Sequence, residues 1–440
     1  MRGAKPRRHD TKMEIPGPAS SGRKPLGAAL TNPISLAFLW ALAINHAWSL
    51  MIDLRYRVNK HDFSVYYLSA MALREHHDPY TTKLNSLGAQ FDLQVGDLDQ
   101  ATDPPTFLLL YEPLTFLRPT AAYWVWIALN LACLLTALLM LQIVLPVEIR
   151  LLLFPLALLY APVSSHFHWG QSKLPLLLLL VAMMRCLEHG WVSVSGIILA
   201  IASLTRMFPL LLAVYLLLQR KWRAIWYFGL GLLAFSLLTL ILAGSAQTFH
   251  FISAVAFLNG SKWLTYTNNV SLRGFVSLRG FVSRLFSWSR FLKDDSLDAI
   301  RGATILAIQL GIVATTSHLT LLRSRAKDDH WRLFSLWIAS SIVLSPIAWD
   351  HDMVLLLVLF YNVAGAAVKG QASRRAIYAS VTSYLCADSL FILSEIGLWP
   401  SNRLLTGFVE KDFVAMALAY VSAYWFAHDT PPDEPTLTCF

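Results

Sequence analysis

Charge is scarce in this sequence: 14% of its 440 residues are Asp, Glu, Lys or Arg, against 56% hydrophobic residues, whereas a soluble chain carries about 25% charged residues. That shortage excludes an ordinary soluble fold. Cysteine is scarce as well. Of the four present, Cys133, Cys186 and Cys386 lie inside apolar runs and Cys439 in the terminal tail, without the ladder of spacings that marks a disulfide frame or a zinc site. Too few polar residues remain for a separate soluble domain. Basic residues outnumber acidic ones, 36 to 27, for a formal charge of +9. They are scattered among the ends of apolar segments rather than gathered into a stripe, which argues against nucleic acid and for anionic membrane lipid as the partner.

What the chain has in plenty is apolar sequence. A spanning helix needs about 20 apolar residues. Twelve stretches approach this: 33–52, 121–145, 149–165, 172–187, 191–205, 207–219, 224–243, 301–322, 333–349, 353–368, 376–398 and 412–428. The expected fold is an all-α integral membrane bundle of about 12 helices, multi-pass in the cell membrane. Several stretches are shorter than the usual minimum of ~17 residues, so the pair flanking Arg206 has a re-entrant hairpin as its alternative. Residues 1–32 are basic and lack apolar periodicity, and read as a disordered cytoplasmic tail. Residues 33–428 form one polytopic domain, and 429–440 a second cytoplasmic tail. The first apolar stretch has no clear small-residue cleavage site and reads as a retained helix. Short loops bearing Arg220, Lys221 and Arg223; Arg323, Arg325, Lys327 and Arg332; and Lys369, Arg374 and Arg375 belong on the inner side. With twelve spans all three fall beside the basic N-terminus, leaving loops 54–120 and 244–300 outside. The piece 107–117, broken by Pro113, is too short to cross and is placed at the interface. Val270 to Phe275 is copied directly as Val276 to Phe281, a period too short for a solenoid and best read as a local duplication.

The informative polar groups share the outer face. Asp62 opens a stretch in which Phe63, Tyr66, Tyr67, Ala70 and Met71 recur at three- and four-residue steps, the mark of an amphipathic helix on the membrane surface. Asp62 suits an N-cap, and a carboxylate there also suits proton abstraction from a substrate hydroxyl. His168, Trp169 and Gln171 read either as interfacial anchors or as a sugar-binding corner, with Trp stacking on a ring and Gln bonding in both directions. Arg206 either snorkels or pairs with a lipid phosphate. Asp350, His351 and Asp352 form a water-facing turn or line a polar cavity that lowers the cost of charge near a bilayer. A divalent ion among these three is disfavoured, since consecutive residues point different ways. Asn269 and Arg273, in the second outer loop, are of a kind that binds a phosphosugar head group, and Asn269-Val-Ser271 formally matches a glycosylation acceptor.

In this order, DFSVYYLSAMAL (62–73) with DPY (78–80), DPPTFLLLYEPL (103–114), HWGQSKLPLLLLL (168–180), GIILAIASLTRMFPLLL (196–212), NVSLRGF (269–275) and SPIAWDHDMVLLL (345–357) resemble glycosyltransferase family 87. These are GT-C-fold integral mannosyltransferases that use a polyprenyl-phosphate sugar, among them phosphatidylinositol mannoside mannosyltransferases. The resemblance implies a glycosyltransferase that moves a hexose, mannose by analogy, from a polyprenyl-phosphate donor to a lipid or glycan acceptor on the extracytoplasmic face. No cofactor and no metal-ligand set is expected from the residues, and metal need stays open. It puts Asp62 in the place of the family's catalytic aspartate, Arg206 where Lys or Arg usually stands, and His351 in the place of the histidine after Trp-Asp. The doubled VSLRGF and His76-His77, where the family often has Gly, depart from the pattern. A sugar phosphate already carries a good leaving group, so one base and cations for the departing charge suffice. The expected roles are therefore Asp62 as general base in an inverting displacement, Arg206 and Arg273 on the donor phosphate, and His351 assisting. His168, Trp169, Gln171, Asn269 and Asp350 would bind sugar or acceptor. The rival classes are a lipid-linked sugar transporter or flippase, whose ionisable residues would sit near the midplane in a two-half repeat, and a membrane acyltransferase or polymer ligase.

Overall fold

The computed structural model describes residues 32–56, 62–93, 95, 99–143, 145–260, 295–323, 330–345, 348–395 and 411–429. Among these there are helices and turns but no strand. Helix α1, Pro33–Arg55, starts where the Asn32 side chain accepts the Ile34 amide at 3.0 Å and Pro33 takes the first position, a side-chain cap followed by a residue with no amide to satisfy. A folded insertion follows: α2, Asp62–Arg74; α3, Leu84–Gly88; and α4, Pro105–Tyr111, which tightens into a 3₁₀ turn at Glu112–Phe116. Beyond it come α5, Pro119–Gln142; α6, Val147–Leu159; α7, Ala161–Trp169; α8, Lys173–Glu188; α9, Val192–Thr205; α10, Leu211–Leu218; and α11, Trp222–Ala243. The remainder is α12, Ser245–Gly260; α13, Asp295–Arg323; α14, His330–Leu344; a 3₁₀ helix, Asp350–Leu356, running into α15, Leu357–Val368; α16, Arg374–Glu395; and α17, Lys411–His428.

Each of the twelve apolar stretches is mainly helical, yet among the described residues far fewer than twelve spans meet the length and hydropathy of a membrane crossing. Five of these do: α1, α5, α11, Ala303–Arg323 of α13, and Asp350–Val368. A sixth results if α6 and α7, bent by 48° at their joint, count as one. The bend has a cause, because Pro155 lies inside α6 and Pro162 opens α7, and each removes a backbone donor. The long helices differ in what they face. α1 and α11 expose Ile34, Phe38, Ile44 and Trp48, and Leu230, Leu233, Leu237 and Ile241, whereas Asp350–Val368 is buried along most of its length. Long apolar helices whose outer sides stay apolar mark a multi-pass membrane protein, since water would not tolerate such a surface. α9 and α11 pack closely at Gly196, where a Cβ would come within 2.2 Å of the Ala224 carbonyl oxygen.

Two expectations change. α2 is present, but it does not lie open on a membrane surface: every residue from Phe63 to Leu73 is buried. The turn 112–116, α4 and α3 all pack on it, so its small polar residues Ser64 and Ser69 face protein rather than water. The second outer loop begins as a helix, α12, whose Phe251 ring lies 5.8 Å from Tyr80. Asn269 and Arg273, expected to bind donor or acceptor, lie outside the described residues.

Candidate active site

The α7–α8 joint positions the site. α7 ends at Gly170, held at φ 69° and ψ 35°, a left-handed conformation that glycine adopts without a Cβ penalty. The Gln171 amide then donates to the His166 carbonyl at 3.0 Å and the Gly170 amide to that of Phe167 at 3.1 Å, the paired closure that satisfies the last carbonyls of a helix. Trp126 Nε1 donates to the Gly170 carbonyl at 2.9 Å. A Cβ on residue 170 would lie 2.9 Å from Phe63 Cβ, so glycine also lets the start of α2 approach. Asp62 and Gln171 are brought together by that contact.

Around this joint, residues from five parts of the chain form one polar cluster. Gln171 Nε2 donates to Asp62 Oδ2 in a short hydrogen bond. Tyr66, one turn after Asp62, donates its hydroxyl to Gln171 Oε1 at 2.7 Å and accepts from Arg206 Nη2 at 3.0 Å. The same guanidinium donates to Ser172 Oγ at 2.7 Å and, through Nη1, to Asp103 in a close ion pair. Arg206 itself has extended backbone, φ −148° and ψ 129°, between α9 and the turn into α10, so its side chain leaves the helix axis and reaches across. The Phe107 and Tyr66 rings lie 5.3 and 5.9 Å from its Cζ, within cation–π range. Next to this group, Lys173 Nζ pairs with Asp352 Oδ1 at 2.5 Å. Asp352 Oδ2 also caps the Trp349 amide at 2.7 Å.

Asp62 is half-buried. Desolvation pushes its carboxyl up to about 6, and Asp103 adds to that, while His351, the Gln171 N–H and Arg206 pull the other way. His351 and Arg206 are thus among the charged groups that act on the Asp62 carboxyl. His351 is 4% exposed, so the stretch 350–352 is no water-facing turn. Both ring nitrogens of His351, and Arg206 Nε, are buried without a hydrogen-bond partner. They have hydrogen-bonding capacity to spare, as do His166 Nδ1, Asp350 Oδ1 and Asp352 Oδ1. Arg206 is otherwise committed to Asp103, and Lys173 to Asp352.

The sugar corner expected from contiguous residues is divided. Gln171 joins Asp62, whereas His168, Trp169 and Asp350 line a separate cavity of about 520 Å³ together with His46, Asp53 and Asp412. His168 Nδ1 lies 3.0 Å from Asp53 Oδ2, His46 Nε2 lies 2.6 Å from Ser164 Oγ, and Ser165 donates to Asp350 Oδ2 at 2.6 Å. His351 Nδ1 stands 3.4 Å from Asp350 Oδ1; Asp350 lines the cavity and His351 acts on Asp62, so the cavity and the cluster adjoin at residues 350 and 351. No set of three or more His, Cys, Asp or Glu side chains among the described residues is arranged to hold a metal. Sequence reasoning missed Asp103, Tyr66 and the polar residues of α1. His46 alone left a trace, an ionisable side chain inside an apolar helix.

Residues 102–346, more than half of the chain, match the family profile of glycosyltransferase family 87, and the chain belongs to that family. It is also similar to a polyprenol-phosphate-mannose-dependent α-(1-2)-phosphatidylinositol pentamannoside mannosyltransferase of Mycobacterium tuberculosis (strain CDC 1551 / Oshkosh), 28% identical over 206 residues. That match covers 46% of this chain and 43% of the relative, so the chain spans less than half of that protein. Among solved structures, ArnT from Cupriavidus metallidurans bound to undecaprenyl phosphate aligns with a TM-score of 0.37 at 15% identity, over 89% of this chain and 77% of that one.

Proposed function

We propose that this chain is an integral-membrane glycosyltransferase of the GT-C type, transferring a hexose from a polyprenyl-phosphate donor to a lipid or glycan acceptor by a single inverting displacement. Mannose follows from the family resemblance and from the polyprenol-phosphate-mannose dependence of the mycobacterial relative. The observation that carries the reading is the position of Asp62: a half-buried carboxylate, oriented by Gln171, in one cluster with Arg206 and His351.

In the reaction, the acceptor oxygen forms a bond to the anomeric carbon from the face opposite the phosphate. The bond between that carbon and the phosphate oxygen breaks, and its electron pair leaves with the polyprenyl phosphate. Asp62 takes the acceptor hydroxyl proton. A carboxyl that titrates near neutrality is suited to this work. Arg206 Nε and the His351 ring supply hydrogen bonds to the phosphate, and the rest of the guanidinium stays bound to Asp103. The cavity of His168, Trp169 and Asp350 takes the acceptor: its charged wall is acidic, which disfavours a phosphate, while Trp169 offers a flat face to a sugar ring. By the chemistry of their side chains, Arg273 is proposed for the donor phosphate and Asn269 for the sugar or acceptor; both lie outside the described residues. The reading keeps residues 33–428 as one transmembrane domain between two cytoplasmic tails, with the site on the extracytoplasmic side.

The test is to incubate the purified protein with radiolabelled polyprenyl-phosphate-mannose and a crude lipid extract. Label entering a new lipid or glycan supports transfer. Movement of intact donor between leaflets without covalent change would assign the chain to the transporters instead.

A further inference from the structure

We infer that Tyr66 is a positioning residue that fixes which end of the Gln171 amide meets Asp62, and so links the carboxylate to the guanidinium of Arg206. The inference rests on the proposed role of Asp62. A guanidinium has N–H groups and no lone pair to offer, so Arg206 must be the donor in its 3.0 Å contact with Tyr66. The tyrosine's own proton is then free to point onward, and Gln171 Oε1 stands 2.7 Å away to accept it. With its oxygen engaged, the amide turns its NH₂ to Asp62 Oδ2. The reverse amide would set its oxygen against the carboxylate, two acceptors facing one another, and leave the tyrosine proton without an acceptor. Amide orientation is generally assigned from such networks, and here every link has a single polarity.

Both ends of the link are stiff. Tyr66 and Gln171 are 4% and 5% exposed. The Tyr66 ring packs at 5.0 Å from Phe107 and 5.8 Å from Tyr111, and the Gln171 backbone is held by the closure at Gly170. The charged groups facing Asp62 are His351 from the 3₁₀ helix, Asp103 from ahead of α4 and Arg206 from the end of α9. Tyr66→Phe removes none of them, so it isolates the hydrogen bond that Gln171 gives.

The experiment reads Asp62 first without substrate, as the carboxyl infrared band that distinguishes wild type from Asp62→Asn in detergent, titrated with pH. In Tyr66→Phe the amide loses its fixed orientation and the ionised carboxylate loses a dependable donor. The midpoint should move up by about one pH unit, a tenfold change in acid dissociation. The acid limb of kcat/KM for mannosyl transfer should move by the same amount, with rates rejoining the wild type well above it. If Tyr66→Phe does not fold, Gln171→Met, which keeps the length and removes both polar ends, should give the same shift. An unmoved midpoint with a uniform loss of rate at every pH overturns the inference. A shifted midpoint that the pH profile does not follow leaves Tyr66 as a positioning residue and removes Asp62 from the role of base.

Discussion

Two polar regions lie side by side in this bundle, and they handle charge in opposite ways. Around Asp62 the cations are matched: Arg206 to Asp103, Lys173 to Asp352. Around His168 and Trp169 there is a cavity of about 520 Å³ whose charged lining, among the described residues, is carboxylate and imidazole without Lys or Arg. Charge within an apolar body must be either neutralised at contact distance or given access to water, and this protein does one in each of the adjoining regions. A matched cluster holds a geometry, while an open hollow admits a ligand. In the proposed function, catalysis belongs to the first and acceptor recognition to the second.

The largest effect that separates the two comes from Asp62→Asn, expected to keep expression and fold while lowering turnover by about 10² to 10⁴, the usual range for a lost general base. Near-wild-type transfer would end the catalytic assignment of the cluster. Next is Asp103→Ala, which leaves the Arg206 guanidinium buried without its counter-ion. Breaking one partner of such a pair costs about 3 to 5 kcal/mol, measurable as a lowered unfolding temperature in detergent. Arg206→Ala carries the mirror penalty at Asp103, so its effect on donor affinity should be read beside Arg206→Lys, which keeps the charge. Gly170→Ala should cost at least about 1 to 2 kcal/mol for the left-handed backbone alone and lower activity further by pushing Phe63, and with it Asp62, away from Gln171.

The pH dependence is gentler. As the proposed base, Asp62 would act only when ionised, and burial pushes its carboxyl up to about 6. The kcat/KM of the wild type should hold above that value and fall below it, with a slope of one proton. A flat profile between pH 5 and 7 would detach the rate from this carboxyl. The smallest effect expected is that of Trp169→Ala. The acceptor KM should rise by about 2- to 10-fold, as for loss of ~0.5 to 1.5 kcal/mol of aromatic contact, with kcat and donor KM unchanged. A change in donor KM instead would move the acceptor out of the cavity.

Much of this was legible in the chain. Apolar length announced the membrane, and Asp62, Arg206 and His351 stood out as ionisable residues at the ends of apolar runs, a position that costs energy unless it is used. What stayed hidden is pairing over long separations. Asp103 before Pro-Pro looks like any turn residue, and nothing local announces a partner 103 positions away. Tyr66 was counted for its ring on the apolar face of a helix, while its hydroxyl does the linking. Trp169 and Gln171, two residues apart, were expected to act together, and one left-handed glycine sends them to different regions. The count of twelve spans rests on composition alone, and a helix such as α9 is apolar but, at 14 residues, shorter than a crossing usually needs.

Because Arg206 and Lys173 already have counter-ions, this site has little positive charge in reserve for a newly created anion. The proposed transfer adds no net charge. As the phosphodiester becomes a monoester and gains a negative charge, Asp62 takes up the acceptor proton and loses its own negative charge, so the total charge of the site is the same before and after. Each turnover instead ends with a neutral acid at residue 62, and the next cannot begin until that proton has escaped to solvent.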